Sequence, residues 1–145
     1  MKAKVLNESP EQTIALIYEA GDEVVSTLER FAAERSLTSS RISAIGAFER
    51  ATLGYFDWEK KDYQRIEVDE QVEVLSLLGD IALEGDQPKI HLHAVLGRRD
   101  GSCVGGHLLE ARVRPTLELL LVESPGYLAR RHDPVSGLAL ISARG

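Results

Sequence analysis

Apolar and polar positions alternate over short runs along most of the chain, the period expected of strands with one buried face. Ala3 to Leu6 and Thr13 to Tyr18 read as two strands separated by Asn7-Glu8-Ser9-Pro10, residue types that favour a turn. The period then changes once. From Gly21-Asp22 onward, Val24, Val25, Leu28, Phe31 and Ala32 recur at helical spacing, with Glu23, Ser26, Thr27, Glu29 and Arg30 on the opposite face. Asp22 is placed to cap this helix, which ends around residues 35–37.

Strand follows strand after that. Residues 41–48 and 50–58 are candidates, with Gly46 and Gly54 as bulge or close-packing points. Residues 63–68 and 72–78 alternate well enough to pair with each other; 81–83 is short, and Gly85-Asp86-Gln87-Pro88 is a turn. Residues 90–96 and 103–113 flank Arg98-Arg99-Asp100-Gly101, a strong hairpin signal because Asp-Gly tolerates the positive φ of a tight turn. Residues 116–122 are almost continuously apolar, and 138–141 form a last strand.

The expected fold is α/β of the α+β type: one domain over residues 1–145, with a mainly antiparallel, curled sheet and one principal helix on one face. One helix of a few turns covers only one side of so large a sheet. Yet Leu117, Leu119, Leu120, Leu121 and Val122 are apolar on both faces. The second face requires either another copy of the chain or a sheet closed on itself, and the homo-oligomer is the favoured solution.

Composition narrows the functional classes. Hydrophobic residues are 43% and charged residues 28% of the 145, the balance of a globular domain. A net charge of −6 opposes nucleic-acid binding through broad electrostatics. Lys60-Lys61, Arg98-Arg99 and Arg130-Arg131 are short pairs with acids nearby, read as solvated surface, and no residue is assigned to nucleic acid. A single cysteine, Cys103, excludes an internal disulfide and a multi-cysteine zinc site, and its apolar context suggests a small core residue. No signal-type or membrane-length apolar stretch is present, so a cytoplasmic protein is expected, with no membrane partner.

The candidate chemistry lies around the hairpin. His91 and His93 are two apart in a strand and project from one face, roughly 6–7 Å apart. His107 joins them only in one register. A two-residue turn at Asp100-Gly101 sets Ala94 opposite His107, on the wrong face; a three-residue loop or one bulge sets His93 opposite His107. Gly105-Gly106 is a natural place for that bulge. Three imidazoles with an open position describe a catalytic rather than a structural metal site, suited to a divalent transition metal: zinc foremost, with iron or nickel as alternatives. The competing reading makes the histidines hydrogen-bonding core residues. His132, in a polar stretch, is expected to be exposed.

Glu118, an acid flanked by leucines, needs a partner or a metal unless it is the solvent-facing member of its strand. It is carried with Gly105 and Gly106 as a ligand-binding or supporting residue. Strand parity puts Glu110 on the opposite face from His107 unless a second bulge intervenes. Nucleophile-elbow, Walker A and dinucleotide-binding signatures are absent. No catalytic residue is assigned.

The stretch PKIHLHAVLGRRDGSCVGGHLLEARV, from Pro88 to Val113, resembles the plant-and-prokaryote conserved (PPC) domain family. ISAIGAFERATLGYFD from Ile42, VEVLSLLGDIAL from Val72 and DPVSGLAL near the end support the resemblance in the family's order. It implies an α/β fold with a helix against a mainly antiparallel sheet, assembled as a homotrimer. It also implies a metal at residues matching His91, His93 and His107, near a subunit boundary. Plant members carry the domain beside AT-hook motifs, and bacterial members are often described as DNA-binding by analogy. Here Arg112-Val113-Arg114-Pro115 lacks the hook's glycine, and Glu70-Gln71 replaces the plant Gly-Arg, which argues against direct DNA contact. The leading expectation is a homotrimer with a three-histidine metal site and a small ligand; the alternative is a non-enzymatic, DNA-associated regulatory or protein-interaction module.

Overall fold

The structure, a computed structural model, describes residues 1–7 and 11–142, with residues 2–7 given as backbone only. The turn expected at Asn7-Glu8-Ser9-Pro10 therefore falls largely outside the described residues. In chain order the elements are β1 (Lys2–Asn7), β2 (Gln12–Glu19), α1 (Val24–Arg35), β3 (Ser39–Asp57), β4 (Asp62–Val68), β5 (Val72–Glu84), β6 (Gln87–Gly97), β7 (Cys103–Glu123), β8 (Ala129–His132) and β9 (Ala139–Ser142). They form one mixed sheet with one helix, an α+β architecture. The parallel pairing is the short one between β5 and β8; the other strand pairings are antiparallel.

Three pairs of expected strands prove to be single long ones. Residues 41–48 and 50–58 merge into β3, 72–78 and 81–83 into β5, and 103–113 and 116–122 into β7. Long strands survive here because bulges bend them around the core instead of ending them. The β3–β7 ladder shifts register between Gly46 and Phe48, between Phe48 and Arg50, and between Thr52 and Leu53. Gly46 permits the first bend: its φ is +152°, and a Cβ there would lie 2.3 Å from the carbonyl oxygen of Thr116. β4 pairs with β3 and not, as the alternation suggested, with β5. Both strands seek β3, β4 along residues 51–57 and β5 along 39–48. The pairings β3–β5, β5–β6, β6–β7 and β7–β3 form a closed circuit.

The helix is capped by Glu23 rather than Asp22. The Glu23 carboxylate accepts from the backbone N–H of Val25 at 3.2 Å and of Ser26 at 2.7 Å. It also accepts from the N–H of Ala111 at 3.2 Å, which fastens the start of the helix to β7. Asp22 instead accepts from the N–H of Glu19, closing the turn that precedes the helix. Thr27 joins Val24, Leu28, Phe31 and Ala32 on the buried face, while Val25 is only half-buried. Ser36 takes the left-handed conformation and ends the helix. Ile14, Leu16 and Tyr18 of β2, Leu53 of β3, Leu77 of β5, Leu92 and Leu96 of β6, and Leu117, Leu119 and Leu121 of β7 complete the core with it. Cys103 is an exposed free thiol beside the hairpin loop, so its assignment to the core is overturned.

The reverse side of β2, β7, β3 and β5, successive neighbours in the sheet, is apolar and uncovered. Ile17, Ile45, Leu75, Leu78 and Leu120 are exposed there, Ile45 by 61% and Leu78 by 58%. Among the described residues, no helix is long and apolar enough to cross a membrane.

Candidate metal centre

Register decides this site. Gly97 pairs with Cys103, and the ladder runs without a shift to His93 opposite His107. The β6–β7 connection is the three-residue loop, closed by the N–H of Arg98 donating to Ser102 O at 2.8 Å. The bulge expected at Gly105-Gly106 is therefore absent from this ladder; loop length alone does the work. Asp100 stabilises the loop by accepting from the N–H of Ser102 at 2.9 Å, and Gly101 supplies the positive φ, +83°. Gly105 and Gly106 serve close packing instead. A Cβ on Gly106 would lie 2.7 Å from Gly54 O, and one on Gly105 would lie 3.1 Å from Ala94 O.

The three rings converge. Their centroids are 4.9 Å (His91–His93), 5.1 Å (His91–His107) and 5.6 Å (His93–His107) apart. One nitrogen from each lies within 4.8 Å of the others. Nε2 of His91 and Nε2 of His93 are 3.1 Å apart. Two ligand nitrogens around a tetrahedral zinc ion are separated by roughly 3.3 Å, from a bond length of about 2.05 Å. The His91–His93 pair already has the spacing of a first-row metal ion's ligands, and the third nitrogen lies close enough to join them as the rings close in. Nδ1 of His107 is buried and has no hydrogen-bond partner, an arrangement that costs about 1–3 kcal/mol unless something binds there.

Burial, with neighbouring charges, favours the ligating, neutral form of His107 and His91. Burial pushes the His107 pKa down to about 4, helped by the positive charges of His91, His93 and Lys89. Burial also lowers that of His91, with His93 adding to it and Asp80 opposing. Asp80 faces His91 across the β5–β6 ladder, its carboxylate 4.0 Å from Nδ1, which leaves Nε2 turned toward the other two rings. Arg130 of β8, its side chain only 6% exposed, donates to Asp80 and fixes that carboxylate. Tyr63 stacks on His107 at 4.8 Å between centroids.

Sequence reading missed these three supports. In sequence Arg130 looks like solvated surface, but β8 pairs with β5 and carries it inward. Asp80 left a signal, an acid inside the apolar run Leu77-Leu78-Gly79-Asp80-Ile81, which only the pairing of β5 with β6 could interpret. Glu118 lies elsewhere. It is exposed on the apolar reverse side, opposite Ile17 and Ile45, and is not among the residues gathered with the histidines. The second bulge that would bring Glu110 round does occur, at Leu109, yet Glu110 is taken by Arg65 at 3.1 Å. His132 is exposed on β8, as expected.

A one-helix α+β domain with three histidines at a hairpin mouth defines the class of protein. The Plants and Prokaryotes Conserved (PCC) domain matches residues 6–125, and the chain belongs to that family, the PPC family of the sequence resemblance. A metal-containing protein of Archaeoglobus fulgidus is 34% identical, with a TM-score of 0.83 over 97% of this chain and 96% of its own. A PPC protein of Pyrococcus horikoshii is 28% identical, with a TM-score of 0.85 over 99% of this chain and 96% of its own. A candidate DNA-binding protein of Bacteroides thetaiotaomicron is 28% identical, with a TM-score of 0.86 over 97% of this chain and 96% of its own. No curated protein matches the chain.

Proposed function

We propose that this chain is a homotrimeric PPC-domain protein in which His91, His93 and His107 bind one divalent transition-metal ion, with a small ligand or water completing the shell. Zinc is the first choice and iron or nickel the alternatives, on the affinity of imidazole for these ions. The convergence of the three ring nitrogens within 4.8 Å carries the reading. The metal-containing Archaeoglobus relative supports it. When bound, such an ion supplies Lewis acidity or an activated water. This chain's own residues set the donors: burial keeps His107 neutral, Asp80 orients His91, and Arg130 holds Asp80. The uncovered apolar side, Ile17, Ile45, Leu75, Leu78 and Leu120, is the surface on which copies of the chain would meet. The exposed free thiol of Cys103 suits a reducing compartment such as the cytoplasm.

Elemental analysis of protein purified without an affinity tag tests the site. About one metal ion per chain is expected, lost in His93→Ala; metal content unchanged in that variant would rule out these ligands. The DNA-associated alternative draws on the description of the Bacteroides relative, and the net charge of −6 weighs against direct contact. Tight binding of the isolated protein to duplex DNA at ~150 mM salt in a gel shift would reverse that preference.

A further inference from the structure

Beside the histidines lies a cavity of about 330 Å³, at the small end of the range that holds a small organic molecule. His91, His107, Lys89 and Arg130 are among the residues that line it, and Ile90, Leu138 and Leu140 supply apolar surface. Leu138 and Leu140 come from the DPVSGLAL segment near the C-terminus, past residue 125 where the family match ends. We propose that the cavity takes a small organic carboxylate with an apolar body, the carboxylate directed to the histidine-bound ion and Lys89, the body against Ile90, Leu138 and Leu140. This rests on the reading that the three histidines hold a divalent metal.

Charge favours an anion. Three neutral imidazoles leave both charges of a divalent ion uncompensated. Of the nearby carboxylates, Asp80 is occupied by Arg130, and Glu84 is exposed at the cavity's edge. Lys89 stands two residues before His91 in the same strand and so projects from the same face. It makes no hydrogen bond or ion pair with the described residues, which leaves its ammonium free for a ligand. Ile90, Leu138 and Leu140 make part of the lining aliphatic, which favours a carboxylate carried on an apolar group over a strongly hydrated inorganic anion.

The test uses the full chain reconstituted with cobalt(II), whose visible absorption reports its ligands, titrated separately with benzoate, acetate, inorganic phosphate and benzyl alcohol. Benzoate should shift the cobalt bands saturably, acetate should need about tenfold more, and benzyl alcohol should do nothing. Lys89→Gln and Leu138→Asp should each keep one cobalt per chain and weaken benzoate about tenfold. Cobalt bound with benzoate silent, or benzoate no tighter than phosphate, overturns the carboxylate site and leaves the metal site standing. Benzoate affinity unchanged in Lys89→Gln also overturns it. Failure of the chain to bind cobalt overturns both.

Discussion

Single residues show how a local choice reaches the site. Glu23 caps the helix, and although burial raises its pKa, hydrogen bonds from Ser26, Ala111 and Val25 outweigh that and hold it below the usual carboxylate value. A carboxyl with a depressed folded-state pKa stabilises the fold above its unfolded pKa, and that contribution fades as pH falls through the folded one. Glu23→Ala should therefore cost about 1 kcal/mol at neutral pH in urea melts, and the gap to the parent should narrow below about pH 4. Gly79 acts more directly on chemistry. A Cβ there would lie 2.2 Å from the carbonyl oxygen of His91. Gly79→Ala should destabilise by about 1–3 kcal/mol, as overpacking does, and displace His91 enough to lower metal content. Normal stability and full metal content in that variant would show that β5 and β6 need no such close approach.

The hairpin is the element on which the candidate site depends. Its three-residue loop, residues 99–101, fixes the parity of β7 against β6, and side chains alternate with period two. Deleting Arg99 leaves a two-residue connection and would turn His107 away from its partners unless a bulge re-forms. We expect the deletion to abolish metal binding by elemental analysis while far-ultraviolet circular dichroism stays strand-rich, because β7 is also held by β2 and β3. Full metal content in the deletion would mean that the ladder with β3, not the loop, sets the direction of His107.

At the scale of the molecule, the two sides of the sheet have different fates. Leu117, Leu119 and Leu121 face the helix-covered core, whereas Leu120 faces outward beside Ile17, Ile45, Leu75 and Leu78. An apolar patch of this kind is costly on an isolated chain and is the surface proposed above for self-association. Leu78→Glu should convert the proposed oligomer to monomers in light scattering, since burying an unpaired charge in an interface costs several kcal/mol. An unchanged mass in that variant would place the contact elsewhere.

The sequence by itself determined the strand-rich content, the one helix from its change of period, and the histidine set, because each follows from residues near one another in the chain. It also carried the family resemblance. What it left open was register and pairing. Whether His107 meets His93 depended on whether residues 98–102 close as a two- or three-residue connection, and the local preferences of Asp100-Gly101 allow both. Which strand β4 joins, where Arg130 and Asp80 meet, and which acid stands by the three imidazole rings depend on contacts between residues far apart in sequence, as in the 50-residue separation of Arg130 from Asp80. Such pairings are selected by the packing of the whole core, so only the tertiary structure decided them.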